Sequence, residues 1–191
     1  MKTITVQEIY GKVKVGTVAG LIGGFVILVS FFAIDLLMAA PSGTFYMVIG
    51  LAVGLHGMTA IIFGIIVHML TAVTIGVLFC TCSTLHSALH LRSVWKGIFA
   101  GAVTGLEVYI IFFMSITLFL MIPIIDATII DGSRSVVTAQ ERMAATMLKE
   151  NFNLIMWGSF VLHVLFGSIM GLLSGIMLHK EYKFSKINSD V

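Results

Sequence analysis

Four uninterrupted apolar stretches organise the chain, at about 15–39, 58–81, 97–123 and 152–178, with shorter polar segments between them. Each is longer than the roughly 20 residues a helix needs to cross a bilayer core. Backbone groups in lipid must be satisfied within their own segment, so such stretches form helices. The pattern predicts an all-α integral membrane protein, a four-transmembrane-helix bundle. Lys12 and Lys14 precede the first stretch and Ala39-Ala40 follow it, as in a cleavable signal. Its apolar run exceeds the ~7–15 residues of a signal core, so it is read as a retained helix.

Small residues within these stretches repeat. Aligning Gly16 with Gly97 also aligns Ala19 with Ala100, Gly20 with Gly101 and Gly24 with Gly105. Both helices then read G-x-x-A-G-x-x-x-G, and each ends near a proline, Pro41 or Pro123. Aligning His68 with His163 sets Ala72 against Gly167 and Gly76 against Gly171. The chain thus reads as a single membrane domain built from two parallel two-helix repeats, 15–91 and 92–179. Glycines four apart make one small face per helix, and helices in lipid associate where such faces let backbones approach. The second and fourth helices carry matching stripes, Gly64-His68-Ala72-Gly76 and Ser159-His163-Gly167-Gly171-Gly175.

The connections differ. Residues 44–55 are apolar but too close to the second span to be another, which predicts a short interfacial or re-entrant helix. Asp126 to Val137 reads as a loop, and Thr138-Ala-Gln-Glu141 as a capping box opening a polar helix. Thr5-Val-Gln-Glu8 has the same form, making residues 1–14 a cytoplasmic amphipathic segment lying on the membrane.

Composition sharpens the class. Of the 191 residues, 59% are hydrophobic and 10% charged, with a mean hydropathy of +1.09; a soluble domain carries about a quarter charged residues. The net charge of +2 gives no footprint for nucleic acid. Lysines and arginines cluster before the first span, at Arg92 and Lys96, and at Lys180, Lys183 and Lys186. The positive-inside rule then puts both termini, including the tail 180–191, in the cytoplasm of a multi-pass protein of the cell (plasma or inner) membrane. Cys80 and Cys82 fall at the cytoplasmic end of the second span, where a structural disulfide is not expected.

Ionisable groups inside a bilayer are costly and are candidates for function. Glu107 lies ten residues beyond Gly97 and so near mid-membrane, although off the glycine face. Its counterpart in the first repeat is Val26. His68 and His163 lie at similar depth on their small-residue stripes. These three are candidates for a ligand site or proton path, or, as two histidines and a carboxylate, for a zinc, copper or iron site. Each also has a plain reading, a polar side chain that fixes helix packing. Cys82, His86 and His90, four residues apart, form a weaker metal-ligand candidate. Asp35, near the external end of the first helix, reads as interfacial, with a pairing partner as the alternative.

The run Val94-Trp-Lys-Gly-Ile-Phe-Ala-Gly-Ala-Val103, leading to Pro123, resembles the corresponding part of YagU-like small multi-span inner-membrane proteins. The resemblance covers about a third of the chain. It implies a similar repeated layout and a link to acid tolerance, and supplies no catalytic residues. The sequence departs from that family in its glycine-striped first helix and its His68/His163 pair.

No P-loop, H-E-x-x-H, G-x-S-x-G or dinucleotide fingerprint occurs, and the polar segments are too short for a catalytic domain, so the chain leans away from enzyme function. Three functions fit. The first is a structural or accessory subunit of a larger membrane complex, or a self-assembling bundle, with other membrane subunits or its own copies as partners. The second is a small proton-coupled transporter or channel using Glu107, His68 and His163. The third is a metal-binding subunit of a membrane enzyme such as an oxidase or monooxygenase.

Overall fold

The computed structural model describes residues 6–83, 90–130 and 137–187, with side chains described between residues 9 and 178. All regular structure among them is helical. Four helices are long and apolar enough to cross a membrane, at Ile9–Leu37, Gly57–Cys82, Val94–Ile130 and Phe152–Leu178. The chain is therefore a multi-pass membrane protein by length and composition.

In order, the elements are α1 (Val6–Leu37), α2 (Thr44–Leu51), α3 (Gly57–Cys82) and α4 (Val94–Val108). Two π-helical turns, Tyr109–Phe113 and Thr117–Met121, flank the short α5 (Met114–Ile116). Then come α6 (Ile122–Ile130), α7 (Ala139–Glu150) and α8 (Phe152–Ile187). The chain divides into two compact units.

Unit 1 combines residues 1–26, 69–106 and 162–191. Its packing follows from missing side chains. A Cβ at Gly16 would collide with the Gly76 carbonyl of α3, and one at Gly20 with that of Ala72. In the same way Gly97, Gly101 and Gly105 on α4 lie against the carbonyls of Gly171, Gly167 and His163 on α8. Backbone thus rests on backbone at both crossings, as small-residue faces allow. At one end of the unit Cys80, Leu91 and Leu178 form a buried cluster, with Val15, Phe79 and Ala100 packed on it. The Cys80 thiol donates to Ser174 Oγ at 3.2 Å, and both cysteines are free.

Unit 2 combines residues 27–68 and 107–161. Here aromatic rings fill the interior. Phe31 stacks on Phe45 at 4.4 Å, Phe45 on Phe113 at 6.0 Å, and Tyr46 meets the edges of both Phe31 and Phe45. The apolar segment 44–55 does form a short helix, α2, and it is held inside the fold: Thr44, Phe45, Tyr46, Met47, Val48 and Gly50 are all buried. Gly50 lies on the backbone of Ala60, and Gly64 on that of Tyr46. Helix α7 packs against α2 and α6.

One boundary is corrected. The third span continues past Pro123, and Asp126, expected in a loop, lies on α6. Proline lacks the amide that would bond four residues back, and its ring crowds that carbonyl. The π-helical turn Thr117–Met121 immediately precedes it, and its wider register accommodates the ring, a recognised way for a membrane helix to absorb proline. At ~1.5 Å per residue the 37 residues of this helix extend about 55 Å, well beyond a ~30 Å hydrocarbon core. Its far end meets water, since Lys149 Nζ bonds exposed Asp126 at 2.6 Å.

The end of α1 carries one strained residue. The Ala39 amide bonds the Leu36 carbonyl at 3.3 Å and the Ala40 amide that of Asp35 at 2.9 Å, the Schellman pattern. This requires a left-handed residue, and Ala39 supplies it at φ 52°. Alanine is disfavoured there and glycine is not. Ala39→Gly is expected to stabilise the protein by about 0.5–1 kcal/mol, read as a higher melting temperature in detergent.

Candidate functional site

Three polar constellations stand out, two of them at the end of unit 2 that carries the connections. Asp35 is 6% exposed, and it has the pairing partners that its position near the end of α1 left open. Its Oδ2 accepts from the amides of Gly43 at 2.7 Å and Thr44 at 3.2 Å. The carboxyl thus caps α2, satisfying amides at a helix start that have no partner within the helix. With its own carbonyl closing the α1 terminus, this one residue fixes both sides of the turn. Gly43 occupies that turn at φ 79°, where a side chain would be strained and would also run into Ile61.

The second constellation centres on Glu141, which is completely buried. The predicted capping box is present: the Thr138 amide donates to Glu141 Oε2 at 2.7 Å, and the Glu141 amide to Thr138 Oγ1 at 3.2 Å. The same carboxylate also reaches the start of α3. Its Oε1 accepts from the Gly57 amide at 2.9 Å and lies 3.1 Å from His56 Nδ1. Burial alone would raise this carboxyl. The hydrogen bonds from Thr138, Gly57 and His56 outweigh it and hold the group below its ordinary value of 4.5.

The third is Glu107. It is exposed on the third span, as are Ile110 and Ile111 three and four residues on, so it stands on an apolar outer face. Lys96 marks one end of the span, and Glu107 lies about 16 Å along the axis from it. Tyr109, two residues further, is anchored: its hydroxyl donates to the Met156 carbonyl at 3.0 Å.

The two histidines belong to different units. His68 is half-buried in unit 2 and meets Tyr46 edge-on, with ring centroids 5.5 Å apart. Tyr46 is fully buried, and its hydroxyl has no hydrogen-bond partner among the described residues. His163 is half-buried in unit 1, and its backbone carbonyl is what Gly105 packs upon. Cys82 is exposed and His90 half-buried, while His86 lies outside the described residues. Among the described residues no three His, Cys, Asp or Glu side chains gather closely enough to hold a metal ion.

Sequence reasoning placed Glu141 in its cap and missed its bonds to α3; it also missed His56 and Tyr46. The Glu141–Gly57 bond joins residues 84 apart, and no local spacing announces such a pair. Comparison with family models, with curated proteins and with solved structures finds no match.

Proposed function

We propose that this chain is a non-catalytic subunit of a larger membrane assembly, and that the face around Glu107 meets the rest of it. The carrying observation is the exposure of that carboxyl partway along a membrane-spanning helix. A carboxylate turned to lipid at mid-bilayer costs on the order of 3 kcal/mol, and intramembrane acids face protein or water-filled cavities. Ile110 and Ile111 beside it offer the apolar contact of a helix–helix interface. No Lys or Arg occurs at 15–91, 97–133 or 150–179. A second copy would bring no lysine or arginine to this depth, only His68 and His163, both half-buried within their own chain, which favours a different chain with a basic residue in its span.

In this reading the two halves descend from one two-helix unit, supported by matching glycine faces that meet their helices at equivalent positions. Both termini lie in the cytoplasm of the plasma or inner membrane, supported by the distribution of lysine and arginine. Carrying a photo-crosslinking residue at Ile111 in native membranes should join the chain to one partner protein in stoichiometric yield. Glu107→Leu should cut that product at least tenfold. A chain that crosslinks only to lipid and runs as a monomer in mild detergent removes the proposal.

A further inference from the structure

Unit 2 contains a cavity of about 270 Å³. Phe31 and Ile34 of α1, Leu148 of α7, and Ile155 and Gly158 of α8 contribute to its wall, and Asp35 is its acidic member. Leu37 and Leu154 also line it and are strongly exposed, so the space is continuous with the outer, lipid-facing surface.

Two observations give the cavity a purpose beyond imperfect packing. Gly57 opens α3 at a positive φ of 57°, which itself favours glycine, and Gly50 and Gly64, inside their helices, lie against backbone of a neighbouring helix. Gly158 does not: a Cβ there would meet nothing within 4 Å. Glycine inside a helix costs roughly 0.5–1 kcal/mol relative to alanine, and the fold gains no close approach from it at this position. What Gly158 does is hold the cavity open. The second observation is Asp35, more than nine-tenths buried. Both amides it binds use Oδ2. Among the described residues nothing donates to Oδ1, although an ionised carboxylate has acceptor capacity on each oxygen.

We propose that the cavity is a lipid site. It takes the end of one acyl chain along Gly158, and a head-group hydrogen-bond donor of the same lipid reaches Asp35 Oδ1. The dimensions agree. At roughly the 30 Å³ that a water occupies, the space holds about nine methylene-sized groups. The α1 wall from Phe31 to Leu37 is about 9 Å long, a similar length. Asp35 lies two residues from the end of its span, at head-group level, while Phe31 and Gly158 lie deeper. Each methylene moved from bulk lipid gains little, so selectivity comes from the donor. A primary ammonium satisfies Oδ1, and a quaternary one, which has no N–H, does not.

Native mass spectrometry of the protein released from vesicles of equal parts phosphatidylethanolamine and phosphatidylcholine tests this. The expected result is one retained phosphatidylethanolamine per chain, at least tenfold over phosphatidylcholine. Gly158→Leu, which fills the cavity, should abolish the retained lipid without lowering the melting temperature. If that variant fails to fold, Leu154→Trp, which blocks the lipid-facing side, carries the same expectation. Equal retention of the two lipids, or full retention in a folded blocked variant, overturns the proposal. The result is independent of the crosslinking at Ile111, so either proposal stands or falls alone.

Discussion

Gly101→Ala is expected to destabilise the protein by about 3 kcal/mol, although alanine is the better helix former by up to about 1 kcal/mol. The sign is set by what the added methyl meets. On α4 it would run into the Gly167 carbonyl and the Gly171 backbone. These are main-chain atoms of a long helix, with no flexible side-chain end to move aside. The two helices would have to separate, losing close contact at Gly97 and Gly105 as well. Gly167→Ala presses from the opposite side, on the Gly101 carbonyl, and should cost a similar amount. The double substitution should cost less than the sum, because one separation relieves both clashes. Gly11→Ala is the internal control. It lies in α1 where a methyl meets nothing within 4 Å, so propensity decides and a gain of about 0.5–1 kcal/mol is expected. Unfolding of the four variants and the parent in mixed detergent micelles provides the comparison. A Gly101→Ala protein as stable as the parent would mean that α4 and α8 do not cross at backbone contact.

How far the fold can be read from sequence depends on the range of the physics involved. The four spans are legible because lipid demands long apolar runs, and no tertiary information is needed to see them. The box at Thr138 and Glu141 is legible because its partners are three residues apart. The glycine faces are legible as faces, since a four-residue period places Gly97, Gly101 and Gly105 together on any helix. The run beyond Pro123 is not legible in the same way. A proline normally argues for a helix end, and here a π-helical turn just before it lets the helix continue to Ile130. The partners of Asp35, Gly43 and Thr44, are not legible either, because they are reached only after the chain reverses at Ala39. For Glu107 the helical-wheel angle, which set it off the glycine face, pointed to the side where the structure exposes it.

The carboxylate of Glu141 is the group whose removal should matter most in unit 2. Glu141→Ala withdraws the acceptor from the Thr138 and Gly57 amides and from His56 Nδ1 in a single step, within a site that has no exposure to water at Glu141 itself. Hydrogen bonds to a charged group contribute about 1.5–3 kcal/mol each, and a donor left buried without a partner adds its own cost. Because the three share one carboxylate their losses do not add, and about 3–4 kcal/mol is expected for the substitution. Thr138→Ala removes only the cap to the Glu141 amide and should cost about 1 kcal/mol. The pH dependence separates the charge from simple packing. The carboxyl is held below its ordinary value of 4.5 in the folded protein, so the unfolded chain binds the proton more readily. The stabilisation is therefore complete above about pH 4.5 and is lost as pH falls through the lower folded value. Melting temperatures of the parent and Glu141→Ala should differ by a constant amount from pH 7 to about 5 and converge below that. A gap that stays constant to pH 3 would show that the carboxylate's charge has no part in joining α7 to α3.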